Sequence, residues 1–426
     1  MTIPTLAIRQ DRRLVRAVHH STRYAVVEIT APHAEATSQR PRVNVAFVLD
    51  RSGSMSGRSK FSLAREALRQ GIERLASDDR FAVVVYDNMV DVVAPGRAAT
   101  SDAKRDADRA LEGIGPRGNT DLAGGWLRGA EQVAEALDRD AVNRVLLLTD
   151  GLANEGITDP REIERHAREL RVRGVSTSTF GVGEDFNEEL LGGMADAGGG
   201  QYRLIGRADE IPALIASEVG ELLEIAARGA ELRVRGPEGL RVACLSPYPL
   251  DRGSRESVVH LGDMVSDQVI RLVLAFGMPL GEAGRDLGIE LALSSRDGHL
   301  SASQTLAWTF ADGYANDVQP RDRDVDRIVA RTYADRALKG AMDRNRRGAW
   351  DEVRHDLLGV ARRIRGYAGD DEVLRGIIAE LERAADAWSV MREESDRKVM
   401  YAAASYSLKS RAPSGAAMRV ERSQES

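Results

Sequence analysis

Buried strands that alternate with amphipathic helices fill the chain between residues 42 and 228 and constrain its fold most strongly. Val43–Leu49 is a nearly continuous apolar run, as expected for a strand that is buried on both faces of a parallel sheet. Phe81–Tyr86 and Val145–Leu148 are further runs of this kind, whereas Lys60–Ala76 carries its apolar residues on one helical face. Strands separated by helices predict an α/β domain with a doubly wound, mostly parallel sheet flanked by helices.

The sequence on either side of this domain has a different pattern. Short strand-like runs follow one another between 230 and 312 without intervening helices, which predicts an antiparallel β-sandwich. Tyr24–Ile29, near the N-terminus, alternates in the same way, but a pair of strands is not stable alone. We therefore expect the N-terminal strands to join the sandwich, so that the α/β domain is inserted between them.

Helical periodicity returns after residue 325. Apolar stripes within 350–364 and 374–388 predict an α-helical bundle of three antiparallel helices, and the polar end of the chain predicts a disordered tail. The predicted divisions are N-terminal strands of the sandwich (1–38), α/β domain (39–229), β-sandwich (230–316), helical domain (317–404) and disordered tail (405–426).

Composition restricts the class of protein further. Apolar residues make up 42% of the chain and charged residues 30%, and the net charge of −6 argues against a general affinity for nucleic acid. Cys244 is the single cysteine, so intrachain disulfides and cysteine-based zinc sites are excluded. No apolar run approaches the roughly 20 residues of a membrane span, and the first residues lack the apolar core of a signal peptide. We therefore expect a cytoplasmic protein.

Polar residues follow two of the buried strands directly. Asp50, Ser52 and Ser54 alternate after the first strand, so one tight turn can direct three oxygens at one point. Asp150 follows the strand Val145–Leu148, and Thr120 comes just before a helix. Because ligands bind at the carboxyl ends of strands in open α/β sheets, these five residues predict a metal site at that edge.

The types of ligand indicate which metal would bind and how it would act. Oxygen ligands without histidine or cysteine favour a hard cation such as Mg²⁺, Mn²⁺ or Ca²⁺. Two carboxylates leave a bound divalent ion nearly neutralised and still electrophilic at any open position. A carboxylate from an Asp or Glu of a partner protein would suit that position.

These residues resemble the metal-ion-dependent adhesion site (MIDAS) of the von Willebrand factor type A (VWA) family, which has Asp-x-Ser-x-Ser, then a Thr, then an Asp. The resemblance covers roughly residues 42–228, and the flanks are similar to bacterial type A proteins whose domain interrupts a β-sandwich. It implies that Ser52, Ser54 and Thr120 contact the metal directly, while Asp50 and Asp150 act directly or through water. It also implies a metal-dependent protein-binding or scaffold function. A more specific expectation is that the protein is an adaptor of an AAA+ ATPase.

Three acidic residues near the motif have simpler interpretations. Asp87 also follows a strand, but capping or solvent exposure is the favoured interpretation over metal ligation. Asp121 is expected to cap the helix after Thr120, and Glu155 to be an exposed loop charge. The arginines between 321 and 347 alternate with aspartates, which predicts an ion-paired helical face.

A metal-assisted hydrolase, similar to a phosphatase, is the alternative from a different class. Phosphotransferases of the haloacid-dehalogenase type use Asp-x-Asp, but Ser52 stands where the second carboxylate would be, so the general acid/base is missing. Residues 53–57 read GSMSG, with Met55 where a nucleophile elbow has serine, and the chain contains no P-loop. We therefore expect no enzymatic activity.

Overall fold

The computed structural model describes residues 5–34 and 40–420. Two compact units are present, one formed by residues 34–225 and one by residues up to 33 together with those from 226 onward. The unit of residues 34–225 is therefore inserted in the sequence of the other unit, which begins before it and continues after it. Three strands precede the insertion: β1 (Thr5–Gln10), β2 (Leu14–Arg16) and β3 (Ser21–Thr30).

The inserted unit has a six-stranded sheet with the order β6-β5-β4-β7-β8-β9. All its strands are parallel except β6, which runs antiparallel to β5. The strands are β4 (Val43–Asp50), β5 (Arg80–Tyr86), β6 (Val90–Ala98), β7 (Val142–Thr149), β8 (Ser176–Val182) and β9 (Gly199–Ile205). The helices are α1 (Lys60–Glu73), α2 (Ser101–Glu112), α3 (Leu122–Ala134), α4 (Pro160–Val172), α5 (Glu188–Gly198) and α6 (Ile211–Leu223), with 3-10 helices at Gly53–Ser59 and Ala208–Glu210.

This arrangement confirms the predicted α/β fold. Every residue of β4 and β7 is buried, as the continuous apolar runs indicate. The strand β6 has no counterpart among the predicted elements. It contains Pro95 and Gly96 and pairs with β5 through register shifts, and proline in a strand is confined to edges of this kind.

The helix α3 lies directly against the sheet because glycines face β4 and β5. A Cβ added at Gly125 would lie 2.4 Å from the ring of Tyr86, and one at Gly129 would lie 2.3 Å from Cγ2 of Val48. The Trp126 indole next to Gly125 is fully buried and donates a hydrogen bond of 3.1 Å to Thr177 Oγ1. The start of α3, just after Thr120, is therefore held at a fixed distance from the strand ends.

The other unit contains the predicted sandwich. Two sheets have the orders β1-β3-β14-β11 and β12-β13-β10-β15-β16-β2. Their remaining strands are β10 (Ile225–Arg235), β11 (Arg241–Cys244), β12 (Leu250–Arg252), β13 (Glu256–Val265), β14 (Val269–Met278), β15 (Asp286–Ser294) and β16 (Ser301–Ala311). Ile29 and Leu272 from one sheet share a core with Leu291 and Trp308 from the other. Pairing of β3 with β14 shows that the N-terminal strands join the sandwich as expected.

The helical region follows as α7 (Gly313–Val318), α8 (Arg323–Arg346), α9 (Trp350–Ala368), α10 (Glu372–Ala387) and α11 (Glu394–Leu408). Val325 and Val329 of α8 pack against Val26 and Val273 on the outer face of the four-stranded sheet. The predicted ion-paired face is present, with pairs such as Arg321–Asp326, whose closest atoms are 2.5 Å apart.

Two predictions for the C-terminal region are wrong. Four long helices are present instead of three, because the buried face of α11 includes Arg397 and Lys398, which hide its helical pattern. The predicted tail from residue 405 is wrong for 405–420: α11 continues to Leu408, and Arg419 forms a β-bridge with Gln268. Residues 421–426 lie outside the described part. Within that part, no helix combines the length and apolarity that a membrane span requires.

Candidate metal site

Four of the five predicted ligands meet where β4 and β7 end. Asp50 is the last residue of β4, Ser52 and Ser54 lie at the start of the 3-10 helix Gly53–Ser59, and Asp150 follows β7. The two serine Oγ atoms are 3.0 Å apart, and Ser54 Oγ donates a 2.5 Å hydrogen bond to Oδ1 of Asp150. The neighbouring parallel strands therefore bring together oxygens that are about a hundred residues apart in the chain.

Asp50 is fully buried and is held by neutral donors. Its Oδ1 accepts a hydrogen bond of 2.7 Å from the backbone N–H of Ser52, and its Oδ2 accepts one of 2.6 Å from Thr149 Oγ1. Burial raises the pKa of Asp50 to about 6, because these hydrogen bonds only partly offset the loss of water around the charge. Among the described residues, no cationic side chain forms an ion pair with it. Asp50 is therefore a buried charge whose compensation is incomplete.

Gly151 has no Cβ, which leaves open the space on which the oxygens converge. A Cβ added there would lie 3.4 Å from Thr120 Oγ1, 3.6 Å from Ser54 Oγ and 3.8 Å from Asp50 Oδ2. Thr120 thus reaches the same place from a third loop. Three oxygens from three segments surround one point that a single methyl group would occupy.

The loop that carries Thr120 is fixed by backbone hydrogen bonds to the other segments. The N–H of Gly53 donates to Gly118 O over 3.1 Å, and the N–H of Thr120 donates to Asn154 Oδ1 over 2.9 Å. Asp121 accepts from the N–H of Gly124 over 2.9 Å and caps α3, as predicted. Thr120 is consequently held in place from both neighbouring loops.

Glu155 differs from its predicted role. It is half-buried, and its Oε1 accepts a hydrogen bond of 2.7 Å from Asn119 Nδ2. The interpretation as an exposed loop charge is therefore wrong, because the loop after β7 folds against the Thr120 segment and brings the two side chains together.

Lys60 belongs to the site but has no place in the sequence motif. It is the first residue of α1, and its ammonium contacts Oδ2 of Asp150, with 14% of the lysine side chain exposed. Asp150 itself is fully buried. The pair links two segments distant in sequence, so no local pattern points to it; the only available signal is a lysine soon after Asp-x-Ser-x-Ser.

Asp87 caps the turn that follows β5, because its Oδ1 accepts a 2.6 Å hydrogen bond from the N–H of Met89, whereas the predicted alternative of solvent exposure is wrong. It is fully buried and accepts from Arg117 Nε over 2.7 Å, while Arg51 Nε lies 2.9 Å from the same carboxylate oxygen. Burial raises the pKa of Asp87, but the Arg117 and Met89 hydrogen bonds and the Arg51 charge lower it more, so the net pKa is below its usual value. Arg51 also pairs with Asp91. These arginines fully compensate Asp87.

The residues at the site suit a hard divalent cation. They supply two carboxylates and three hydroxyls, which are ligands that Mg²⁺ and Mn²⁺ accept. Across residues 5–34 and 40–420, no cluster of three or more His, Cys, Asp or Glu side chains is suited to a metal. Hydroxyl groups must therefore complete any coordination here, and the ligand role of Asp50, Ser52, Ser54, Thr120 and Asp150 stays a prediction.

The fold and the strand-end site together define a class: an α/β domain with a hydroxyl-rich metal motif, inserted in a β-sandwich. The family model of the von Willebrand factor type A domain matches residues 44–212. Residues 44–212 therefore form a von Willebrand factor type A domain, and domains of this type typically act as protein-binding modules with a site for a divalent metal ion.

Relatives share this region and part of the flanks. Protein YfbK of Escherichia coli is 30% identical over 199 residues, which cover 46% of this chain and 34% of YfbK. Protein sll0103 of Synechocystis is 28% identical over 296 residues, which cover 64% of this chain and 66% of that protein. The chain therefore matches about a third of one relative and about two-thirds of the other.

A solved structure, titled von Willebrand factor type A from Catenulispora acidiphila, has the same fold over nearly the whole chain. It superposes with a TM-score of 0.73 at 19% identity and covers 96% of this chain and 97% of its own. The two chains therefore share one fold over almost their whole lengths.

Proposed function

We propose that this protein is a divalent-metal-dependent protein-binding or scaffold module, in which a metal held by Asp50, Ser52, Ser54, Thr120 and Asp150 coordinates an acidic residue of a partner. The observation that carries the proposal is the convergence of Thr120, Ser54 and Asp50 oxygens on the space beside Gly151. Mg²⁺ is the expected ion, and Mn²⁺ or Ca²⁺ would suit the same donors.

The electrostatics of Asp50 support a cation at this point. A fully buried carboxylate is costly unless a positive charge compensates it, and Asp50 has only neutral donors around it. A divalent ion would supply the missing charge. Hydroxyl ligands add none of their own, so the ion would keep a strong attraction for an external carboxylate.

The rim of the site suggests what lies beside that carboxylate. Met89 is 57% exposed and Leu152 is 55% exposed, and both belong to loops that contact the Thr120 segment. The turn of Met89 is joined to it by a 2.8 Å hydrogen bond from Asp121 N to Asp87 O, and the loop of Leu152 by the Asn154 contact with Thr120. Exposed apolar side chains on both loops favour a partner whose Asp or Glu is flanked by apolar residues.

The proposal includes a non-enzymatic role and a cytoplasmic location, both of which stay predictions. The carboxylates of Asp50 and Asp150 already accept hydrogen bonds or contacts from Thr149, Ser52, Ser54 and Lys60, which supports the non-enzymatic part of the proposal. An AAA+ ATPase as partner is likewise a prediction from the resemblance alone.

Metal-dependent capture tests the proposal. The immobilised protein is incubated with a lysate of its source cells in Mg²⁺ or EDTA, beside the variant D50A and the control D102A, whose side chain is exposed on α2. We expect specific proteins bound in Mg²⁺ by wild type and D102A, and lost with EDTA or D50A. Hydrolysis of a phosphoester with Mg²⁺ or Mn²⁺ that D50A abolishes would instead establish the metal-assisted hydrolase.

A further inference from the structure

We propose that Lys60 is a built-in counter-charge of the metal site, which weakens metal binding and strengthens the attraction of the bound metal for an acidic partner. The inference rests on the proposed metal site and concerns its regulation. Its basis is the contact between the Lys60 ammonium and Oδ2 of Asp150, one of the predicted metal ligands.

The two oxygens of Asp150 have different partners. Oδ1 accepts the 2.5 Å hydrogen bond from Ser54 Oγ and faces the hydroxyl cluster, whereas Oδ2 contacts Lys60 Nζ. The ammonium therefore contacts the oxygen of Asp150 that does not accept the hydrogen bond from Ser54. A cation held at Oδ1 would leave this pair in place, so Lys60 and the metal would share one carboxylate.

Sharing changes the charge of the site. Asp50 and Asp150 contribute two negative charges and Lys60 one positive charge, so the site carries −1 without a metal and +1 with a divalent ion. Without Lys60 the same values would be −2 and 0. Because Asp150 is fully buried and 14% of the Lys60 side chain is exposed, water screens this difference only weakly.

Two consequences of opposite sign follow. A site of charge −1 attracts a divalent cation less than a site of charge −2, so Lys60 lowers the metal affinity. A loaded site of charge +1 attracts a carboxylate more than a neutral one, so Lys60 raises the affinity for an acidic ligand. If Lys60 served only to orient Asp150, its removal would weaken metal binding instead.

Lys104 offers a matched control in the same unit. It is 12% exposed, and its ammonium donates hydrogen bonds of 2.9 Å to Glu73 O and 2.8 Å to Leu75 O. K104M therefore also removes a mostly buried lysine that hydrogen-bonds to another segment, but Glu73 and Leu75 do not belong to the metal site.

The experiment measures Mn²⁺ binding by titration calorimetry on the full chain as wild type, K60M, K60R and K104M. We expect K60M to bind Mn²⁺ at least about tenfold more tightly, corresponding to about 1.4 kcal/mol, while K60R and K104M stay close to wild type. In EDTA, K60M should unfold at a lower temperature than wild type and show a larger stabilising shift on adding Mn²⁺. A K60M variant that folds only with Mn²⁺ is the extreme form of this result.

Acetate tests the second consequence with a simple carboxylate probe. Measured on Mn²⁺-saturated protein by electron paramagnetic resonance, acetate should bind K60M more weakly than wild type. Unchanged or weaker Mn²⁺ binding by K60M overturns the inference about Lys60 and leaves the metal site intact. Absence of Mn²⁺ binding by wild type overturns the proposed function itself.

Discussion

Two carboxylates at adjacent strand ends, Asp50 as the last residue of β4 and Asp87 just after β5, differ completely in what surrounds them. Both are fully buried. Asp87 lies between Arg51 and Arg117, which hold its pKa below the usual value. Asp50 has only neutral donors, the hydroxyls of Thr149 and Ser52 and the backbone N–H of Ser52, and burial raises its pKa to about 6.

The comparison shows that position at a strand end does not by itself make a metal ligand. A carboxylate already compensated by arginine stabilises the loops that it joins, and an added cation would have to displace a partner. A buried carboxylate that has only neutral donors remains uncompensated, so a cation beside it would be stabilising. The charges around each group therefore separate a structural aspartate from a candidate ligand.

D50N should have the largest effect on metal binding. The change removes the negative charge while keeping the size of the side chain, and we expect Mn²⁺ affinity to fall by at least about 100-fold because a buried carboxylate is the strongest attraction for the ion. Folding stability in EDTA should not fall, because the substitution removes an uncompensated buried charge. Calorimetry and thermal unfolding measure the two quantities. Metal binding by D50N close to that of wild type would contradict the assignment.

D87N should have the reverse profile. Loss of the Asp87 negative charge leaves the buried Arg51 guanidinium with less compensation. The free energy of unfolding should therefore fall by about 3 kcal/mol. Urea denaturation measures this loss, and Mn²⁺ affinity should change much less than in D50N. R117Q is the control, because this arginine is 55% exposed and water screens its pair with Asp87, so its loss should lower stability much less than D87N does. A metal defect in D87N as severe as that of D50N would remove the distinction between the two aspartates.

G151A should affect metal binding by an intermediate amount. The added methyl group would enter the space between Thr120, Ser54 and Asp50 at ordinary contact distances, so it should fit the folded protein but exclude an ion. We expect about a tenfold loss of Mn²⁺ affinity and a change of less than about 1 kcal/mol in the free energy of unfolding. Wild-type metal affinity in G151A would show that the ion binds elsewhere in the cluster.

Substitutions on the rim should have the smallest effect and leave the metal untouched. M89S and L152S remove exposed apolar surface, and we expect each to weaken capture of an acidic partner by a few-fold at unchanged Mn²⁺ affinity. The check is the amount of partner recovered in Mg²⁺. Unchanged capture by the double variant would indicate that the partner binds through the metal alone.

The fold could be predicted because its signals are local. Continuous apolar runs identified β4, β5 and β7, and the order of strands and helices was sufficient for the α/β class. The helix α11 could not be predicted in the same way, since Arg397 and Lys398 are buried on a face that the sequence pattern assigns to solvent. Periodicity fails where buried polar contacts, such as the hydrogen bond from Arg397 to Asn345 Oδ1, replace apolar packing.

The candidate site shows the same limit. Asp50 and Asp150 could be predicted to meet, because parallel neighbouring strands end at one edge of the sheet. The roles of Lys60 and Asp87 could not, since each depends on a partner brought close only by folding. The sequence therefore indicates which oxygens converge but not which of their charges are already compensated.

The close packing of α3 on the sheet has a mechanical consequence. Because Gly125 and Gly129 let the helix backbone touch β4 and β5, no flexible side chain lies between them that could absorb a displacement. The Thr120 side of the site is therefore stiff. Ser54 lies at the exposed start of a short 3-10 helix, which is more compliant. Any adjustment to ions of different radius would be made by the serine segment, with Thr120 as the fixed reference.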